Sequence, residues 1–296
     1  MNIASRCFLV LLISASCFSN FALAQVPAAD TTKAMTAWRI GIETGLGATQ
    51  AAYSDNWTGG ESGSIIWVSN LHGRADRQLS ASLFFGNELK LEFGQIHTQV
   101  DSTKHWESPK KSADKIRYDN ILRLTRGWVL DPYVAGVLES QFLDVTDTTK
   151  VYFNPVDLTE AIGVARYIFN VPASRILTTR VGFGLRQHLI HAVKTTKDGG
   201  VEWVTDLALG SPKAKYSLVS KFTVFQALFN SQSNVLPNDN WKTADLNWDN
   251  SLRANLTSIL QVSLSWQWLY DKEIALGGRF RETLALGLSY KFANTK

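Results

Sequence analysis

Glu88, Lys90 and Glu92 recur at every second position, and so do Lys115, Arg117 and Asp119, with Arg123 two steps further along the same row. At that spacing the side chains leave one face of a β-strand. Further rows of this kind are Arg180, Arg186 and His188; Glu202 and Asp206; Lys215 and Lys221; and Asp245, Asn247, Asp249 and Arg253. Both signs of charge occur on many of them. Charges held in a confined place must be compensated, so such rows either pair with one another and fill space or line a narrow aqueous path that favours polar or zwitterionic solutes. The alternation is compatible with both outcomes.

Other chemistries find less support. His188 and His191 resemble a ligand pair, but three positions apart on a strand they point to opposite faces. Asp245-Leu246-Asn247-Trp248-Asp249 imitates the start of a calcium loop, yet Asn250 stands where glycine is needed and Leu256 where the bidentate glutamate belongs. Gly182-Phe183-Gly184 lacks the third glycine and the following helix of a nucleotide loop. A hydrolase needs a nucleophile, a base and an orienting group in contact, and no motif of that kind is legible. No catalytic residue, metal ligand or cofactor is therefore expected. The 30 basic and 26 acidic side chains are interleaved along the chain and leave a net charge of +4 without a basic cluster, so nucleic acid is not an expected partner.

The elements that must carry these rows are strands. Thr283 to Phe292 puts Leu284, Leu286, Leu288, Tyr290 and Phe292 on one face and Ala285, Gly287, Ser289 and Lys291 on the other. A strand that is oily on one side and small or polar on the other suits a wall with hydrocarbon outside and a wet lumen inside. Leu260, Val262, Leu264, Trp266, Trp268 and Tyr270 alternate with Gln261, Ser263, Ser265 and Gln267 in the same way. A closed sheet of this kind in water would expose a large apolar surface. No segment after the N-terminus approaches the roughly 18 uncharged apolar residues of a helical membrane span.

The N-terminus reads as an export signal: Arg6, an apolar run from Phe8 to Ala15, and Ala22-Leu23-Ala24 before Gln25. Ser14-Ala15-Ser16-Cys17 only loosely resembles a lipidation box, because Ser14 replaces an aliphatic residue. Both cysteines, Cys7 and Cys17, fall within the signal, so disulfides, thiolate metal sites and cysteine nucleophiles are not expected after its removal. The expected organisation is a signal peptide over 1–24, a short periplasmic segment over 25–36, one outer-membrane barrel over 37–292 and a tail over 293–296.

Alternating segments are expected at Ala37–Ala51, Ser62–Arg74, Arg77–Gln95, Asp114–Thr125, Leu130–Asp144 and Asp157–Phe169. Six more follow at Ser174–Leu189, Gly200–Leu209, Lys213–Phe229, Lys242–Asn255, Ile259–Tyr270 and Phe280–Phe292. Most reach the roughly 9 to 11 residues of a tilted membrane strand. The fold class is all-β: a transmembrane antiparallel up-and-down β-barrel of about twelve strands, with short turns on one side and long loops on the other. A tight turn is expected at Arg74-Ala75-Asp76. An even strand count places both chain ends on the short-turn, periplasmic side.

Asn56-Trp57-Thr58-Gly59-Gly60-Glu61-Ser62 resembles the W-x-G-G-x-x-S opening of a bacterial family of unknown function held to form outer-membrane barrels. Leu89-Lys90-Leu91-Glu92-Phe93-Gly94, Ser112-Ala113-Asp114-Lys115-Ile116 and, in part, Asn154-Pro155-Val156-Asp157-Leu158-Thr159 resemble elements that follow in that family. The resemblance covers most of Trp38 to His188. It implies the architecture and no activity.

These readings point to the outer membrane of a Gram-negative bacterium. The function expected first is a narrow channel or transporter for small polar solutes; a closed structural or anchoring barrel and an outer-membrane hydrolase are the alternatives. Expected partners are outer-membrane lipid and lipopolysaccharide, the latter at the basic loop Thr98–Ala113, and the barrel-assembly machinery through the C-terminal strand.

Overall fold

The computed structural model describes residues 37–54, 62–100, 102–145, 150–171, 174–210 and 214–294. The expected export signal, the segment 25–36, Asn56 to Glu61 of the family-like opening and the last two residues lie outside the described residues.

Strands form because apolar and polar residues alternate, and they close because each finds an antiparallel neighbour on both sides. In chain order they are β1 (Arg39–Ala51), β2 (Ser64–Ser80), β3 (Leu83–Thr98), β4 (Lys110–Leu124), β5 (Asp131–Ser140), the two-residue pieces β6 (Leu143–Asp144) and β7 (Val151–Tyr152), and β8 (Val156–Val171). Then follow β9 (Arg175–Leu189), β10 (Thr196–Leu209), β11 (Tyr216–Asn230), β12 (Asp245–Asn255), β13 (Leu260–Tyr270) and β14 (Arg279–Asn294). All except β6 and β7 make a closed ring of twelve strands in the order β1-β2-β3-β4-β5-β8-β9-β10-β11-β12-β13-β14, with β14 returning to β1. Closure leaves no lateral edge except where a ladder stops early.

Connections alternate between short ones, such as 81–82, 172–174 and 256–259, and longer ones, such as 99–109, 141–155 and 231–244. One expected turn is displaced. β2 runs straight through Arg74-Ala75-Asp76 and ends at Ser80, because these residues pair with Ile40, Gly41 and Arg39 of β1 on one side and with β3 on the other. The charges that resembled a turn are the lumen-facing row of a continuing strand. β4 and β10 also begin earlier than expected, at Lys110 and Thr196, and β5 ends earlier, at Ser140.

The barrel is apolar outside. Leu284 is 69% exposed, Leu286 57% and Leu288 56%, whereas the buried apolar side chains inside are few: Tyr133, Ala135, Ala161, Ala165, Val204, Phe225 and Ala227. That distribution is stable only with hydrocarbon around the wall, where every backbone group must be satisfied within the sheet. Phe222, Trp248, Trp268 and Phe280 are successive register partners across β11, β12, β13 and β14, forming an outward aromatic row. Trp203 and Trp248 each meet Phe222 edge to face, at 5.9 and 6.4 Å. Their indole N–H groups donate to Thr179 Oγ1 and Ser220 Oγ, at 2.9 and 3.0 Å. Apolar rings with satisfied polar tips are the groups that sit at a membrane interface.

Candidate functional site

The inward rows meet in the lumen. Glu88, Lys90 and Glu92 project there from β3, and Lys115, Arg117, Asp119 and Arg123 from β4. Arg180, Arg186 and His188 do so from β9, Glu202 and Asp206 from β10, Lys221 from β11, and Asp245, Asn247, Asp249 and Arg253 from β12, each opposite to an outward apolar row. Lys215 is different: it precedes β11, and its ammonium lies 5.6 Å from the Tyr216 ring centre.

Most of these charges are paired. Arg117 reaches Asp119 at 2.6 Å and Glu139 of β5 at 2.6 Å. Glu88 accepts from His72 at 2.6 Å and meets Lys90 at 3.3 Å. Arg180 lies 3.4 Å from Asp206 and 4.0 Å from Glu202, and Arg186 lies 2.7 Å from Asp245 and 3.9 Å from Asp198. Arg253 donates to Glu43 of β1 at 2.6 Å. Glu92 stands opposite Lys115 in the β3–β4 ladder.

Two pairs cross the ring. Lys115 of β4 meets Asp249 of β12 at 3.3 Å, and these strands are six places apart among the twelve. Lys221 of β11 meets Asp119 of β4 at 2.9 Å, five places apart. Opposite walls are thus bridged by side chains near mid-height. The β4–β11 half is packed further by arginines laid on rings: Arg123 over Tyr167 at 3.9 Å, Arg186 over Phe225 at 3.4 Å and Arg180 over Tyr133 at 5.9 Å. Tyr133 can lie flat because its neighbours are small. Gly163 and Gly182 pair in register there, and a Cβ on Gly182 would come 2.8 Å from the Tyr133 hydroxyl.

The other half of the lumen is lined by small residues. Gly45 and Gly47 of β1, Ser263 and Ser265 of β13, and Thr283 and Ala285 of β14 face inward in consecutive register rows. Arg253 and Glu43 close this side towards the short-turn end, and Ser289 Oγ lies 3.4 Å from Glu43.

At the loop-side mouth, His188 Nδ1 pairs with Asp157, and Thr196 stands opposite His188 on the next ladder. A base and an orienting carboxylate are present, but no nucleophile contacts His188 among the described residues. Nor do three metal-ligating side chains gather anywhere among them. Asp198, Asp245, Asp271 and Glu273 surround the mouth near Arg186, and the Glu273 carboxyl is held above its ordinary range by burial and by the three neighbouring carboxylates. Glu43, Glu139, Asp157, Arg279 and Arg281 belong to the same lumen and escaped the sequence reading. Arg279 and Arg281 do alternate with Phe280 and Glu282, a signal hidden by placing the start of the last strand at Phe280.

Residues 48–145 match a family described as a protein of unknown function (DUF3078). The match includes Leu89–Gly94 and Ser112–Ile116 and stops short of Asn154–Thr159. No curated protein matches the chain. Among solved structures, the chain is similar to an outer-membrane channel (COG4313) from Pseudomonas putida F1, with 11% identity, TM-score 0.40, and 91% of this chain and all of that one covered. It is also similar to the translocator domain of the autotransporter NalP from Neisseria meningitidis, with 11% identity, TM-score 0.33, and 98% and 95% covered. Likeness at this level carries neither mechanism nor solute.

Proposed function

We propose that this protein is exported to the outer membrane of a Gram-negative bacterium and handles small solutes through a lumen that is narrowed at mid-height, rather than serving as a wide, freely diffusing pore. The observation that carries this reading is the pair of ion bridges, Lys115–Asp249 and Lys221–Asp119, between opposite walls. Fixed charges in so narrow a passage set the barrier for permeant ions. The small-residue half beside β13, β14 and β1 supplies the room for passage. Inside the membrane the C-terminal strand β14 would serve recognition by the assembly machinery, and the basic segment Thr98–Ala113, with Lys104, His105, Lys110 and Lys111, would face lipopolysaccharide.

Planar-bilayer recording of the folded protein tests the reading. The wild type should give small or infrequent steps, and Asp119→Asn with Asp249→Asn should give larger steps of more anion-selective character. Large steady wild-type steps unaffected by those changes would overturn it. Silence from both proteins would favour the closed structural barrel, which the same ion bridges also support.

A further inference from the structure

The ladder between β1 and β14 ends at Gly47↔Gly287, although β1 continues to Ala51 and β14 begins at Arg279. Above that pair β14 is bound only to β13, through Arg279 to Leu288, while its lower half is bound to β1. Ser289 donates its N–H to Ile259 on the β13 side. Backbone groups alternate in direction along a strand, so those of Phe280, Glu282 and Leu284 point towards β1. Among the described residues no ladder partner takes them. Gly47, Ser263, Ser265, Thr283 and Ala285 are small on the lumen side of this seam, Asn70 of β2 fills the place beside Gly45, and Leu46, Leu284 and Leu286 lie exposed on its outer side.

Two cations stand beside the same seam. Arg279 and Arg281 face inward from the free half of β14, opposite Leu269 and Gln267 of β13. Neither has an ion-pair or hydrogen-bond partner among the described residues, and Arg279 Nε is buried without an acceptor. The other lumen arginines, Arg74, Arg117, Arg123, Arg180, Arg186 and Arg253, each have a carboxylate. Asp198 and Asp245 stand on β10 and β12, Asp271 and Glu273 on the loop that leads into β14, and Glu282 projects to the lipid side of β14 itself. Arg279 and Arg281 are thus two cations without a carboxylate partner beside an acidic part of the mouth whose own arginine, Arg186, is already paired with Asp245 and Asp198.

We propose that the unzipped half of the β1–β14 seam is a lateral window that takes an anionic amphiphile, with its head group at Arg279 and Arg281 and its apolar tail leaving between Leu46 and Leu284 into the outer leaflet. The ion bridges lower in the lumen narrow the axial route, and the window offers a second way out. The proposal rests on the solute-handling reading above for the outer half of the lumen only. The head group belongs either to a small carboxylate solute or to a phosphorylated lipid of the membrane.

The test uses the full chain in phospholipid bilayers, with folding checked by heat-modifiable mobility, laurate as the probe and dodecanol as the uncharged control. Saturable laurate binding should weaken about tenfold or more in the Arg279→Gln/Arg281→Gln double variant, the loss of two charge-assisted contacts, while dodecanol partitioning stays unchanged. Native mass spectrometry distinguishes the sources. A phosphorylated lipid retained by the wild type and lost from the double variant assigns the head to a lipid, whereas laurate binding without retained lipid assigns it to a solute. Absence of both, or laurate binding equal in wild type and variant, overturns the proposal. The window itself is tested independently. The barrel has no native cysteine, so Thr49→Cys/Ala285→Cys should remain reduced under mild oxidation while Gly45→Cys/Ser289→Cys, in the zipped part of the seam, cross-links. Efficient cross-linking of the former pair would show the seam closed and overturn the window. Failure of either arm leaves the mid-lumen conductance test untouched, because that test reads Asp119 and Asp249.

Discussion

Between β4 and β5, as between β1 and β14, the ladder stops before the loop-side rim, and the chain treats the two places differently. The β4–β5 ladder ends at Ile116↔Ser140, leaving Lys110 to Lys115 of β4 without β5. There the described parts of the connection, 141–145 and 150–155, fold back over the notch. Asp114 accepts the N–H groups of Phe142 and Leu143 at 2.6 and 3.0 Å, and Lys111 donates to Gln141 and to the Leu143 carbonyl. Phe142 packs edge-on against Phe93 at 5.9 Å. Asn154 ties the segment to Asp144 at 2.6 Å and to the His191 N–H at 2.7 Å. The orphaned backbone of one notch thus finds partners, as a wall in hydrocarbon requires. At the β1–β14 seam no equivalent tie exists among the described residues, and the nearest inward charges are two unpaired arginines. The difference separates a notch finished for stability from one left free for use.

The contrast is broken most directly by charging the two walls. Val134, in β5, is 53% exposed, and Leu286 beside the seam is 57% exposed. Val134→Arg should destabilise the folded barrel by up to about 2–4 kcal/mol, the most that a basic side chain on the lipid face costs. Leu286→Arg should cost less than half as much, because its guanidinium can reach the wet lumen through the gap. Urea titration of folded protein in lipid measures both. Equal costs would mean that the seam is as dry as the patched wall.

Next in size is the patch itself. Asp114→Ala removes the acceptor of two backbone N–H groups and the carboxylate 3.1 Å from Lys111. Unsatisfied buried groups cost about 1–3 kcal/mol, so the segment 141–155 should become protease-sensitive while the ring stays folded. Unchanged cleavage would show that Phe142 packing alone holds the segment. Ser265→Ala, on the small-residue side, should leave the same cleavage pattern unaltered.

Much of this contrast could not be read from the residues alone. Strand identity could, because Leu284, Leu286 and Leu288 alternate with Ala285, Gly287 and Ser289 whatever the register. The inward direction of Lys115, Asp119, Lys221 and Asp249 follows from the same alternation. That Lys115 meets Asp249 does not, since it depends on β4 and β12 standing opposite in the ring, a consequence of strand number and stagger together. The seam is hidden for the same reason: nothing in Arg279 to Leu286 tells that its partner strand has already ended its ladder at Gly47. Arg74-Ala75-Asp76 misled because polar residues with a small one between them suit a turn as well as a lumen-facing row.

The smallest expected effect concerns the loop 271–278 that leads into the free edge of β14. Its ties are mostly local: Asp271 accepts the N–H of Glu273 through its side chain at 2.9 Å and those of Ile274 and Ala275 through its carbonyl, and one bond reaches further, from Asn240 Nδ2 to the Lys272 carbonyl at 3.2 Å. Glu273 has its carboxyl raised by burial and by Asp271, Asp245 and Asp198. A carboxyl raised on folding holds its proton more tightly in the folded loop than in the open one. Loop stability therefore rises as pH falls from neutrality through the folded-state pKa, and the gain is complete below the unfolded value of about 4.3. Hydrogen exchange corrected for intrinsic rates should show these amides protected about two- to threefold better near pH 5 than near pH 7. Glu273→Gln should remove most of that dependence, and the segment 141–155, tied by Asp114 and Asn154, should show less of it. Protection that declines on acidification would mean that the acidic mouth does not destabilise the loop, and the electrostatic contrast between the mouth and the Arg279–Arg281 side would lose its support.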